Sequence, residues 1–191
     1  MKSEITPTTE PLLELFCQAL SDEESDVQSN AAFGIGLLVE HTQKDLSPQY
    51  LHLLSALRPL FEVPPNSSAS KWRAHDNAVG AVSRLIIRNS AAVPLDQALP
   101  VLINALPLSH DPLENQPAFK AIFHLFGTNP QALHPYSEKL LEVIQATLEP
   151  SVPDQINDET RAELVELIEE LNKEAPETVQ AAGLGPFVPG A

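Results

Sequence analysis

Apolar residues recur along most of this chain at the three- and four-residue spacing of helices. Nowhere do they alternate with polar ones convincingly enough for a strand. Leu12, Leu13, Phe16, Ala19 and Leu20 make the first stripe. A capping box of Ser21 and Glu24 predicts a second helix running to about Glu40. Its Val27, Ala31, Gly34, Ile35 and Leu38 share one face, which Phe33 and Leu37 widen. Ser47-Pro48, an N-cap followed by proline, starts a third helix with Leu53, Leu54, Leu57, Leu60 and Phe61 inward. Residues 62–70, EVPPNSSAS, read as a loop. The fourth helix follows, with Ala78, Ala81, Val82, Leu85 and Ile86 in its stripe. Pro94 begins a fifth carrying Leu95, Ala98, Leu99, Leu102 and Leu106, where Pro100 implies a kink or a later start. Asp111-Pro112 precedes a sixth with Phe119, Ile122, Phe123 and Phe126, and Pro117 raises the same question there. Pro135 opens a seventh with Leu140, Leu141, Ile144 and Leu148. The eighth starts near Asn157 or Asp158 and buries Leu164, Leu167, Ile168 and Leu171. Residues 175–191 have no periodicity and are expected to form a flexible tail.

One phrase is written twice. Residues 29–39, SNAAFGIGLLV, and 76–86, DNAVGAVSRLI, each open on a polar residue and an Asn and continue in small and aliphatic residues. Asn30 and Asn77 are 77 − 30 = 47 positions apart. That period in an all-helical sequence means stacked helix pairs of the HEAT or armadillo kind. The expected fold is all-α: an α-solenoid of about four HEAT-like antiparallel helix pairs, spanning approximately 7–42, 47–90, 94–129 and 135–174. These form one repeat domain over residues 1–174, followed by the tail at 175–191. The first stripe begins at the chain's edge without a polar cap, so a piece of a longer solenoid is expected. Such solenoids present long surfaces to partners.

Charge narrows the choice of partner. The 191 residues include 26 acidic and 11 basic side chains, a net charge of -15. Nucleic-acid affinity rests on Lys and Arg at phosphates, and anionic membranes attract the same residues. Neither is an expected partner; basic proteins are. Cys17 is the single cysteine, so no disulfide framework is possible. No basic stretch followed by an apolar run opens the chain, and no apolar run approaches the ~20 residues of a membrane span.

Catalytic chemistry finds little support. His41, His52, His75, His110, His124 and His134 contain no helical metal pair at four-residue spacing. There is no G-x-S-x-G elbow, and Phe33-Gly34-Ile35-Gly36 lies inside a helix. No enzyme activity, metal or cofactor is expected.

The candidate residues are instead for binding. Trp72 and Asp76 are one helical turn apart at the expected start of the fourth helix, where an indole can flank a lysine stem and a carboxylate accept its ammonium. Equally, Trp72 can pack on the preceding helix and Asp76 serve the helix N-terminus. Read as an exposed acid at a helix start, Asp76 adds little stability. Asn30 and Asn77 hold equivalent repeat positions although Asn is a poor helix former. They either grip the backbone of an extended peptide or tie neighbouring repeats together. Asp26 shares a face with Asn30, as part of an acidic cluster with Asp22, Glu23 and Glu24. Arg73, Asn77, Arg84 and Arg88 form a stripe whose basic groups must pair with adjacent repeats or face an acidic partner.

The phrases at 22–36 and 76–86, with ALPVLINALPLSHD at 98–111, resemble the last HEAT repeats of importin-beta-type nuclear transport receptors, and within that family the importin-four subgroup. The resemblance covers roughly Leu12 to Lys173. It implies a receptor that shuttles between cytoplasm and nucleus, carries histones H3 and H4 and ribosomal proteins inward, and releases them on Ran-GTP. Ran-GTP and most nucleoporin contacts belong largely to upstream repeats of that family. The resemblance also implies that Asn30 holds lysines of a histone H3 tail, and less directly Trp72, Asp76 and Asn77; Asp26 joins them as a cargo-binding candidate from the face it shares with Asn30. The second helix of each pair is expected to line the concave face. The alternative is a HEAT-repeat scaffold subunit of another multiprotein complex.

Overall fold

The computed structural model describes residues 8–149 and 156–188. Among these residues the regular structure is helical and no strand occurs. The major helices are α1 (Thr9–Ala19), α2 (Ser25–His41), α3 (Tyr50–Leu57), α4 (Ala69–Asn89), α5 (Leu95–Ala105) and α6 (Asn115–Thr128). They continue with the short α7 (Pro130–Leu133), then α8 (Ser137–Leu148), α9 (Asp158–Glu174) and α10 (Pro176–Ala181). The stripes predict α1–α6, α8 and α9. The one-turn helix α7 and the terminal α10 are additions.

The helices stack as a solenoid. α2, α4, α6 and α9 form one row, each touching the next. α1 packs on α2, α3 on α4, and α5 on both α4 and α8, which makes the second row. α4 lies in the middle, and every residue from Ala74 to Ile86 is buried. That explains why its apolar positions are so small: Ala74, Ala78, Gly80 and Ala81 let three helices approach closely.

Local signals hold at some ends and give way at others. Ser68 Oγ accepts from Lys71 N at 3.3 Å and starts α4 at Ala69, a turn before Trp72. Asn157 Oδ1 accepts from Thr160 N at 2.9 Å and starts α9 where expected. The Ser21–Glu24 capping box does not form. Asp22 Oδ1 instead takes the Glu24 N–H at 2.9 Å, and Gln28 Nε2 reaches back to the Asp22 carbonyl. Helix α2 therefore opens at Ser25, behind an aspartate turn. Ser47-Pro48 and Asp111-Pro112 each begin a short 3-10 turn, after which α3 and α6 follow. Pro100 stays inside a helix that opens at Leu95, so the later start is not adopted. Pro117 sits in the first turn of α6, where backbone N–H groups have no intrahelical acceptor and proline costs nothing in hydrogen bonds.

Where the sequence analysis expects a flexible tail from residue 175, the chain turns at Ala175 and forms α10 against α9. Gly183, at φ 73°, closes α10: Leu184 N bonds the Val179 carbonyl and Gly183 N bonds the Gln180 carbonyl. This paired pattern brings Val179 and Leu184, both fully buried, onto the core. A six-residue helix is too short for its stripe to show as periodicity. Residues 189–191 of the expected tail lie outside the described residues. Hydrogen exchange should find the Val179 and Leu184 amides protected. Leu184→Ala should remove that protection at a cost of about 2–5 kcal/mol to whatever unfolds with it. Exchange at an unprotected rate in the parent chain would refute the packing.

Candidate binding surface

The twice-written phrase places α2 and α4 side by side in parallel, and polar groups cross between them along their whole length. Arg73 Nη2 donates to Asp26 Oδ1 at 2.8 Å, across the 47-residue repeat offset. Asn77 Nδ2 donates to Ser29 Oγ at 2.9 Å. Further along, Arg84 Nε donates to Glu40 Oε2 at 2.9 Å, Arg88 Nη2 to the Thr42 carbonyl at 3.1 Å, and Asn89 Nδ2 to Ser47 Oγ at 2.8 Å. The basic stripe of the fourth helix thus pairs with the adjacent repeat.

The opposite flank of α4 ties down the next pair. Asp76 Oδ2 accepts the backbone N–H groups of His110 and Asp111, each at 2.8 Å, while Oδ1 lies 3.0 Å from His75 Nδ1. Asn77 Nδ2 is also 3.2 Å from Asp111 Oδ2 and 3.1 Å from the Arg73 carbonyl. Arg84 grips Glu114 with both terminal nitrogens. A Cβ on Gly80 would collide with Glu114 Oε2, so glycine there makes room for the carboxylate. Burial pushes the Glu114 carboxyl above the ordinary glutamate value, against the pull of Arg84. Asn115 fixes the same loop by exchanging two hydrogen bonds with the Leu108 backbone, at 2.7 and 2.8 Å.

These contacts separate the five candidate residues. Asp76 is 2% and Asn77 4% exposed, and both are hydrogen-bonded between helix pairs. The expectation of an exposed acid at a helix start is corrected. α4 begins seven residues earlier, so Asp76 lies in its buried middle. Trp72 is half-buried, stacked on His110 with centroids 5.6 Å apart and planes 16° apart; its indole also meets the His75 ring edge-on. Asn30 is exposed and makes no side-chain hydrogen bond among the described residues. Asp26 is exposed, and the hydrogen bond from Arg73 lowers its carboxyl below the usual aspartate value.

On α2, Asp26, Asn30, Phe33, Leu37 and Glu40 recur at four- and three-residue steps and form one stripe. Phe33 is 39% exposed and lies 5.9 Å from the Arg84 guanidinium carbon. The stripe therefore offers a free amide, an aromatic face and a carboxylate at either end. Glu114 and Asn115 are the structural residues that the sequence pattern does not reveal, and Asp111, expected as a helix cap, makes no cap bond and accepts from Asn77 instead. The signal for Glu114 is Gly80, one turn before Arg84, which leaves space at a position where alanine would favour the helix. Among the described residues no group of three or more His, Cys, Asp or Glu side chains could hold a metal ion. No helix among them is long and apolar enough to cross a membrane.

Stacked helix pairs joined by such cross-links define an α-solenoid, a fold that presents an extended surface. No protein-family model matches the chain. It is 40% identical over 171 residues to the probable importin subunit beta-4 of Schizosaccharomyces pombe, which covers 90% of this chain and 16% of that protein. It is 30% identical over 172 residues to human importin-4, covering 90% of this chain and 15% of that protein. The mouse importin-4 is 30% identical over 166 residues, across 84% of this chain. The chain is importin-4-like, a stretch of karyopherin sequence spanning about one-sixth of the length of the relatives it matches.

The buried position of Asp76 changes what its removal should do. Asp76→Ala leaves the part-buried backbone N–H groups of His110 and Asp111 without their charged acceptor and should cost about 2–4 kcal/mol, read as a shift of the denaturation midpoint. This reverses the expectation of a neutral substitution. Gly80→Ala should displace Glu114 from Arg84 and cost about 3–5 kcal/mol in the same measurement, as loss of a buried ion pair does. A midpoint unchanged in either variant would contradict the contacts described.

Proposed function

We propose that this chain is a cargo-binding part of a nuclear import receptor that takes hold of basic, lysine-rich protein segments. Its action is reversible binding and not catalysis. The contact surface is the α2 stripe with the adjoining edge of α4. Asn30 offers an uncommitted amide to the segment's backbone or to a lysine. Asp26 and Glu40 attract its charge, and Phe33 supports an aliphatic stem. Trp72 is a further candidate on the His110 side of α4, while Asp76 and Asn77 serve the surface from beneath by holding α4 and the 108–115 loop in register. The observation that carries this reading is Asn30: an exposed helical amide without a partner among the described residues, between acids, on a protein of net charge -15.

The importin-4 likeness supports cargo such as histones H3 and H4 and ribosomal proteins, with the H3 tail as the lysine-rich segment. It supports a receptor that shuttles between cytoplasm and nucleus, where Ran-GTP acts mainly through sequence outside this stretch.

Calorimetry with a lysine-rich histone-tail peptide tests the proposal. Affinity should fall steadily across a salt series, because exposed charges are screened over ~8–10 Å at ~0.1–0.15 M ionic strength. Asn30→Ala should weaken binding about three- to tenfold at an unchanged denaturation midpoint, consistent with one lost hydrogen bond of ~0.5–1.5 kcal/mol. The acetyl-lysine peptide should bind less well, since acetylation removes the charge. Salt-independent affinity, or an Asn30→Ala protein that binds as tightly as the parent, would defeat the assignment.

A further inference from the structure

A separate apolar cleft lies at the far end of the molecule, away from α2. Helices α6 to α10 enclose a cleft of about 220 Å³ lined by Phe126, Leu133, Leu141, Leu167, Leu171 and Val179, among others. Small-molecule pockets run to roughly 300–1,000 Å³ and carry several convergent polar groups. This cleft is smaller and nearly all apolar, which is the scale of one large side chain.

Its surroundings are acidic. On α9, Glu170 and Glu174 follow Leu167 and Leu171 by three residues, so each stands beside a lining leucine on the helix surface. On α8, Glu138 precedes Leu141 by three, and on α10, Glu177 adjoins the exposed lining residue Thr178. All four glutamates are exposed. Glu170 is paired with Lys173, and the nearby Lys139 with Glu142. Glu138, Glu174 and Glu177 form no ion pair among the described residues.

We propose that this cleft docks a basic segment of a partner protein, which inserts one bulky aliphatic or aromatic side chain and sets lysines or arginines against the glutamates around it. Charge complementarity selects this occupant. A second copy of a chain with net charge -15 would be repelled, as would an acidic peptide. The apolar anchor supplies affinity, and the flanking charges supply orientation and a faster encounter. The element shares no residue with the α2 stripe, so it does not depend on the binding reading given to Asn30.

The test uses the full chain and short synthetic lysine peptides, one with a central leucine and one with serine in its place. Methyl chemical shifts should move at Leu141, Leu167, Leu171 and Val179 with the leucine peptide. That peptide should bind about tenfold or more tighter than the serine peptide, as burial of a leucine side chain predicts. The double variant Glu174→Gln, Glu177→Gln changes only exposed carboxylates. It should keep its denaturation midpoint and bind the leucine peptide several-fold less tightly. Equal affinity for the two peptides overturns the proposal. So does equal affinity for a leucine peptide built on glutamates. Shifts confined to Asn30 and Phe33 would uphold the α2 surface and overturn this one.

Discussion

Arg84 is the charge around which the stacked helices are arranged. It is 9% exposed, lies in the central helix, and reaches a glutamate on each side: Glu40 of the preceding pair and Glu114 of the following one. A buried guanidinium left without partners would cost several kcal/mol, so both neighbours must stand where their carboxylates meet it. Gly80 leaves the space and Phe33 covers the outer face. Apolar packing holds the rows together but tolerates sliding. One arginine held by two acids from different repeats does not.

The same economy decides where recognition can occur. Most polar side chains along the middle of α4 are committed to neighbours: Asp76 to the 110–111 backbone, Asn77 to Ser29 and Asp111, Ser83 to the Val79 carbonyl. Groups buried in bonds within the scaffold are not available to a partner, whereas Asp26 and Glu40, each bonded through one oxygen to Arg73 or Arg84, stay exposed. The uncommitted ones lie on α2 and around the cleft beside α10. Asn30 and Asn77 show the principle within one repeat motif. Asn77 lies between α2 and the 108–115 loop and is buried, bonded to Ser29 and Asp111, whereas Asn30 on α2 is exposed. Identical position in a repeat does not confer identical surroundings.

Much of this was legible in the sequence, for a physical reason. Helix periodicity is local: the stripes at Leu53, Leu57 and Leu60, or at Leu164 and Ile168, appear in any window of two turns, and the same residues are buried in the structure. The 47-residue repeat added the parallel stacking, since equal phrases bury equal faces. From these came the all-α solenoid and the importin-type resemblance. Periodicity failed where elements were shorter than its window, at α7 and α10, and where a nearer hydrogen bond pre-empted a cap, as Asp22 did to Ser21.

The sequence by itself determined most of the inward-facing residues, although Val27 and Phe33 of the expected inner face are exposed, and that the helices pair and stack. It also determined that the surface is strongly acidic. Only the tertiary structure decided which polar residues are spent in holding the stack and which remain free. Asp76 and Asp26 look alike in the sequence, each near an Asn at the front of a repeated phrase. One is buried beneath a loop 34 residues further on, and the other stays in solvent. Hydrogen-bond partners of that kind come from distant parts of the chain, and no local pattern of residue types encodes the distance between them.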